Sequence, residues 1–151
     1  MTRRPPTPHT LLQQAARAAR SAYCPYSRFR VGAAVLAPDG RVFAGCNVEN
    51  ASYGLTVCAE RAAVTAAVAG GVRRIAAVAI AADGADPAAP CGSCRQVIAE
   101  FATRDCVVHS APLRALAKRV SWRLSVLLPS AFRLGTRRAG GAKETKRRRA
   151  G

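Results

Sequence analysis

The chain has 151 residues, half of them apolar and only 5% aromatic, and its formal net charge is +16. This length suits a single domain with its own core. We expect no membrane-spanning helix, because no run of 18 apolar residues exists, and no signal peptide, because the arginines near the N-terminus precede no apolar segment.

The predicted elements follow one another as helix, hairpin, helix, strand, helix and strand. Apolar residues recur at helical spacing over 10–23, and the residues before Pro25 should end that helix. Strands are predicted over 29–37 and 41–48 around a turn at 38–40, then a loop over 49–57. A helix over 58–69, a buried strand over 75–82, a helix over 91–101 and a short strand over 106–110 complete an α/β pattern with helices on the sheet.

The last part of the chain is less regular and strongly basic. Residues 113–119 and 122–128 fit a strand or a helix equally, and 127–132 are predicted to form a last turn. Residues 104–151 carry 13 of the 24 basic residues but only two acidic ones. We therefore predict a domain over 1–134 and a disordered basic tail over 135–151. No aromatic residues interleave the tail charges, so a specific nucleic-acid partner is not expected.

Six cysteines without a secretion signal indicate a reducing, cytoplasmic setting with metal binding. Cys58 lies two residues before Glu60, and Cys91 and Cys94 form a Pro-Cys-x-x-Cys motif. This is the signature of zinc deaminases, in which three protein ligands leave a position for water. The remaining cysteines, Cys24, Cys46 and Cys106, are interpreted as small buried residues or bystanders.

The two motifs together predict a catalytic zinc site. Zinc should generate a hydroxide that attacks an electron-poor C–N carbon, and Glu60 should take its proton and return protons to the ring nitrogen and the leaving amine. Three thiolates make the metal a poorer Lewis acid, and Arg61 could offset this by donating a hydrogen bond to a ligand sulfur. A closed structural zinc site would need a fourth ligand from Cys24, Cys46, Cys106, His9 or His109. None of these has a paired spacing, and Glu60 would then have no role.

With these residues in view, the chain resembles the small homotetrameric cytidine deaminases. The resemblance covers about residues 21–108 and includes Tyr23-Cys-Pro-Tyr-Ser27, Phe29-Arg-Val-Gly-Ala33, Gly45-Cys-Asn-Val-Glu-Asn-Ala51, Cys58-Ala-Glu-Arg61 and Pro90-Cys-Gly-Ser-Cys-Arg-Gln-Val97. It implies a three-layer α/β fold with a mixed sheet of about five strands, one zinc ion per subunit, and deamination of cytidine and 2′-deoxycytidine in pyrimidine salvage.

The resemblance also implies a set of substrate-binding residues. Asn47 and Glu49 would hold the ribose hydroxyls; standing two apart, they share a strand face, and Glu49 would repel a 5′-phosphate. Phe29 would pack on the pyrimidine ring, and Phe132 would reach into a neighbouring subunit's site. The implied lining of the pocket is completed by Ala51, Tyr53, Ala59 and Pro90.

The family pattern fails near the C-terminus, where Val126 stands before Leu-Leu-Pro in place of the usual acidic residue. The basic run 114–123 and the tail also depart from the pattern, and they affect the expected packing of the last strand and the expected stability of the tetramer.

Other hypotheses are a deaminase of another aminopyrimidine nucleoside such as blasticidin S, and a zinc-stabilised nucleic-acid-binding module. A nucleic-acid deaminase is less favoured, because it needs a channel for flanking nucleotides.

Overall fold

A computed structural model describes residues 5–134 of the chain. The predicted basic tail over 135–151 lies outside these described residues. The elements in chain order are α1 Pro8–Ala19, β1 Val31–Leu36, β2 Val42–Cys46, a 3-10 turn at Tyr53–Leu55, α2 Ala59–Ala69, β3 Ile75–Ala82, α3 Gly92–Phe101, β4 Ala102–Pro112, β5 Val120–Arg123 and α4 Leu124–Leu127.

The five strands form one mixed sheet in the order β2-β1-β3-β4-β5. β3 and β4 run parallel, joined through α3, and the other neighbouring pairs are antiparallel. β3 is buried along almost its whole length, as its continuous apolar run predicted. The expected α/β fold with a mixed sheet of about five strands is therefore confirmed.

Helices cover both faces of the sheet, which gives three layers. On one face α1 packs through Leu11, Leu12 and Ala15. On the other face the core joins α2, α3 and α4 to the opposite side of β1, β3 and β4. Small residues allow α1 to lie close to β1. A Cβ on Gly32 would lie 1.9 Å from the carbonyl oxygen of Ala15 in α1. Helix α1 therefore crosses β1 where only glycine leaves room.

The first helix begins earlier and ends earlier than its apolar pattern predicts. The side chain of Thr7 accepts a hydrogen bond from the backbone N–H of Thr10, and Pro8 occupies the first turn. Both features favour a helix start. The helix then ends at Ala19, before the residues that precede Pro25.

The C-terminal elements differ most from the sequence prediction. β4 is an eleven-residue strand, not a short one, and it begins directly after α3. Its early residues Arg104 and Asp105 are exposed, so no apolar period marks them. Residues 113–119 form turns rather than a strand or a helix, and 122–128 divide between β5 and α4. Within residues 5–134, no helix has the length and apolar character needed to cross a membrane.

One buried titratable side chain lies on β4, away from the two motifs. His109 is 9% exposed, and its Nδ1 lies 2.7 Å from the Ser121 hydroxyl on β5. Burial, and to a lesser degree the charge of Arg119, lowers the pKa of His109 below its ordinary value.

Candidate metal centre and active site

One edge of the sheet collects the loops that carry the predicted site. Val31 at the start of β1 pairs with Ala82 at the end of β3, and Gly32 pairs with Cys46 at the end of β2. The loops after β2 and β3 leave from this edge and lead into α2 and α3. The topology thus brings the beginnings of these two helices to one place.

Three thiols meet at the two helix N-termini. Cys58 is the N-cap of α2 and Cys91 is the N-cap of α3, while Cys94 lies in the first turn of α3. The Sγ atoms of Cys58, Cys91 and Cys94 all lie within 4.8 Å of one another. In a tetrahedral zinc site with Zn–S distances of about 2.3 Å, neighbouring sulfurs are roughly 3.8 Å apart. The cluster therefore fits one zinc ion with small side-chain adjustments, and its three soft donors are those that zinc prefers.

The three thiols lie close enough to affect one another's pKa values. The neighbouring Cys94 thiol has the largest effect on Cys58, and Arg61 and the Cys91 thiol add to it against the opposing effect of burial, so that the pKa of Cys58 falls to about 5. The same pairing, together with burial, raises the pKa of Cys94 above its ordinary value. The lowered pKa favours the thiolate form of Cys58, which is the form that binds metals.

Arg61 also anchors the loop that precedes α2. Its Nη2 donates to the carbonyl oxygen of Thr56 at 2.6 Å. This contact fixes the guanidinium beside the thiol cluster, where its positive charge opposes the accumulated charge of the thiolates. The Nε of Arg61 is buried without a hydrogen-bond partner among the described residues, so the predicted donation from Arg61 to a ligand sulfur stays a prediction.

Glu60 lies in the first turn of α2 and is only 5% exposed. Burial is the main cause that raises the pKa of its carboxyl group, and the Cys58 sulfur adds to the effect. The neighbouring Cys94 thiol and the charge of Arg61 act in the opposite direction, to a lesser degree. A buried carboxylate beside a metal-ligand cluster, with a raised pKa, is equipped to take up and release a proton.

Asn47 is buried at the end of β2 and holds the start of β1. Its Oδ1 accepts from the N–H of Val31 at 2.8 Å, and its Nδ2 donates to the carbonyl oxygen of Phe29 at 2.8 Å. One amide hydrogen and one oxygen lone pair of Asn47 remain for another partner. The sequence did not predict this backbone contact, because its partners lie 16 and 18 residues away, at and just before the start of β1.

Glu49 binds the loop before β1 in a similar way. Its carboxylate accepts from the N–H groups of Tyr26 and Ser27 at 2.9 and 3.2 Å and from the Ser27 hydroxyl. These bonds, with the hydroxyl as the largest cause, lower the pKa of Glu49. A cleft of about 380 Å³ lies here, lined by Tyr26, Ser27, Glu49, Tyr53 and Thr56. The rings of Tyr26 and Tyr53 meet edge to face, with centroids 5.9 Å apart.

The backbone of Phe29 is held by Asn47, and the next residue, Arg30, forms an ion pair with Asp83 that the sequence did not predict. The Asp83 carboxylate accepts from the N–H, Nε and Nη2 of Arg30 at 2.9 to 3.0 Å. The Asp83 N–H in turn donates to the Arg30 carbonyl. The backbone around Phe29 is thus fixed on both sides, while its ring stays 40% exposed.

The other predicted site residues divide between buried and exposed positions. Ala59 and Pro90 are buried at the two helix starts, whereas Ala51 and Tyr53 are exposed in the loop before α2. Phe132 is 70% exposed and lies in the C-terminal segment, residues 124–134. Gln96 of α3 holds the Phe132 backbone through two hydrogen bonds.

Comparisons with known proteins agree with this site. The family model described as the cytidine and deoxycytidylate deaminase zinc-binding region matches residues 6–110. A cytidine deaminase of Halalkalibacterium halodurans is 48% identical over 122 residues, which are 81% of this chain and 91% of the relative. One from Mycobacterium tuberculosis is 48% identical over 120 residues, 80% of this chain and 85% of the relative.

Solved structures give the same result. The crystal structure of cytidine deaminase from Burkholderia pseudomallei superposes with a TM-score of 0.79 at 45% identity, covering 84% of this chain and all of the other. That from Mycobacterium tuberculosis gives 0.71 at 46%, covering 82% and 95%. The match of sequence, fold and thiol cluster places this chain in the cytidine deaminase family, with zinc as its cofactor.

Proposed function

We propose that the chain hydrolyses cytidine and 2′-deoxycytidine to uridine and 2′-deoxyuridine with release of ammonia, as a step in pyrimidine salvage. The observation that carries this proposal is the pairing of the thiol cluster with the buried carboxylate of Glu60. A purely structural zinc site needs no acid of this kind. Hydrolytic deamination needs one, because protons must move from water to the base and to the departing amine.

Cys58, Cys91 and Cys94 are proposed to hold one zinc ion. The bound ion would supply the Lewis acidity that activates water at neutral pH. The partial positive charges at the N-termini of α2 and α3 favour the thiolate forms of the ligands, and Arg61 opposes their remaining charge. These charges would allow three thiolates to hold the ion while it keeps enough Lewis acidity to activate water.

Glu60 is proposed to move the protons of the reaction. It would accept a proton from the attacking water, deliver it to the ring nitrogen N3, and assist the protonation of the amine that leaves C4. Burial keeps bulk water away from the carboxylate, and its raised pKa brings it closer to the working pH. One side chain would thus act first as a base and then as an acid.

The substrate is proposed to be a nucleoside whose ribose binds beside Asn47 and Glu49. Asn47 retains one donor and one acceptor site, and the anionic Glu49 can accept from a sugar hydroxyl while it disfavours a 5′-phosphate. Phe29 would contact the pyrimidine ring, with Ala59 and Pro90 completing the base pocket. Ala51 and Tyr53 would complete the ribose side.

We further propose a homotetramer with shared active sites, in the cytoplasm. Support for assembly comes from large apolar side chains that a single chain leaves exposed, among them Tyr53 at 75%, Leu55 at 66% and Phe132 at 70%. Such exposure at a site edge is typical of an interface. Phe132 would reach a neighbouring site.

A reducing compartment is supported because the three thiols bind zinc only when they are not oxidised.

The test is a spectrophotometric deamination assay on zinc-loaded protein, run in parallel with cytidine, 2′-deoxycytidine, deoxycytidylate and blasticidin S, with zinc measured per chain. We expect turnover of both nucleosides and about one zinc per chain, since one cluster serves one ion. Activity on blasticidin S or on the nucleotide alone would contradict the proposed substrate. Zinc-loaded protein without any turnover would contradict the proposed reaction.

A further inference from the structure

The turn that carries Cys91 and Cys94 has little packing of its own. Cys91, Gly92 and Ser93 are all exposed, and a Cβ on Gly92 would meet no heavy atom within 4 Å. Cys94 itself is buried, but Cys91, another candidate zinc ligand, lies on an exposed segment that the hydrophobic core does not hold. Something else must fix its geometry, because a metal site needs its ligands within a few tenths of an ångström.

Arg95 supplies such a contact. It directly follows Cys94, yet its Nε donates to the carbonyl oxygen of Pro90, the residue before Cys91, at 2.8 Å. Its backbone N–H donates to the Cys91 carbonyl at 3.0 Å. Arg95 thus binds both residues at the beginning of the turn and closes the Cys91–Cys94 segment from outside.

The same guanidinium fastens the turn to another part of the fold. Its Nη1 donates to the carbonyl oxygen of Leu127 at the end of α4, at 2.9 Å. The guanidinium group is planar and rigid, so two carbonyls bound to its Nε and Nη1 have a fixed relative position. Lysine cannot reproduce this, since an ammonium group is a point donor on a flexible stem.

We propose that Arg95 is a positioning residue of the zinc site, which holds the Cys91–Cys94 turn in its metal-binding geometry by bridging Pro90 and Leu127. The inference rests on the zinc site of the proposed function but not on its substrate or reaction. Residues that support metal ligands from outside typically change metal affinity about 10- to 100-fold when they are replaced.

The experiment measures zinc affinity without any substrate, by competition between the protein and a chromophoric chelator. We expect Arg95→Ala to bind Zn²⁺ about 10- to 100-fold more weakly, with Arg95→Lys between this variant and the parent. Arg95→Met keeps the apolar stem and removes the donors, so it serves if the alanine variant does not fold. Co²⁺ substitution adds a second readout, because its visible absorption spectrum reports the geometry of thiolate coordination and should change in the same variants.

The matched control is Gln96→Ala. Gln96 is the next residue on α3 and binds the same C-terminal segment, at Phe132, but it has no hydrogen bond to Pro90 among the described contacts. Its zinc affinity should stay within about twofold of the parent, since a substitution that does not touch the metal ligands typically changes a free energy by no more than about 0.5 kcal/mol. Parent-like zinc affinity and Co²⁺ spectrum in a folded Arg95→Met or Arg95→Ala protein would overturn the inference. An equal loss in Gln96→Ala would also overturn it, since the cause would then be general loosening of the C-terminal segment.

Discussion

Replacing Glu60 by glutamine is the sharpest test of the proposed chemistry. The side chain keeps its size, so the buried position in the first turn of α2 stays filled. What the variant loses is the ability to take up and release a proton. Because Glu60 is only 5% exposed, bulk water cannot easily take over the transfer.

The expected loss follows from the number of transfers that Glu60 serves. General acid–base catalysis by one positioned side chain contributes about 10²- to 10⁴-fold. Glu60 is proposed to act at both the ring nitrogen and the leaving amine, so the upper end applies. A fall in kcat of about 10⁴-fold corresponds to about 5.4 kcal/mol of barrier. Zinc content should be retained, since the loss of a carboxylate beside three thiolates removes like-charge repulsion.

The assay is cytidine turnover by Glu60→Gln protein, normalised to zinc per chain. The control is Glu100→Gln, which removes the same charge from the exposed face of α3 and should leave kcat near that of the parent. A fully zinc-loaded Glu60→Gln protein that retains more than about a tenth of parental kcat would refute the role of Glu60, because tenfold is only about 1.4 kcal/mol. Loss of zinc in this variant would instead show that Glu60 supports the metal.

Three further outcomes are expected. Gly32→Ala should lower the free energy of unfolding, measured by chemical denaturation, by about 1–3 kcal/mol or more, since the new Cβ would lie 1.9 Å from a helix carbonyl oxygen. The control Gly54→Ala should leave stability unchanged, since its Cβ would meet no heavy atom within 4 Å. Stability should fall as pH drops below about 6.5, because the unfolded state binds a proton on His109 more readily than the folded state, in which the pKa of His109 is lowered. His109→Gln should flatten this dependence of stability on pH. Chelation of zinc should abolish turnover, and added Zn²⁺ should restore it.

Each of these outcomes has a clear contradiction. Equal denaturation midpoints for the two glycine variants would mean that α1 does not depend on its close approach to β1. If the free energy of unfolding of His109→Gln protein falls with pH as steeply as that of the parent, other titratable groups cause the fall. Full turnover in metal-free protein would exclude zinc from the reaction.

The sequence by itself determined the chemistry of this protein. Cys58, Glu60, Cys91 and Cys94 lie in two short motifs, and each motif begins at a helix start that local spacing predicts. The strand Ile75–Ala82 was also evident, because a strand buried on both faces needs no alternation of polar and apolar residues. The local sequence pattern was sufficient to predict these helix starts and this strand, because residues close together in the chain decide their conformation.

Only the tertiary structure decided which side chains hold the site in place. The contacts of Asn47 with Phe29 and Val31, of Arg30 with Asp83, and of Arg95 with Leu127 join segments far apart in sequence. Several of their acceptors are backbone carbonyls, which every residue carries, so no residue pattern marks them. The bounds of β4 were set in the same way, because its pairing with β3 includes Ala102 at one end and Pro112 at the other, beyond the short strand that the apolar pattern predicts.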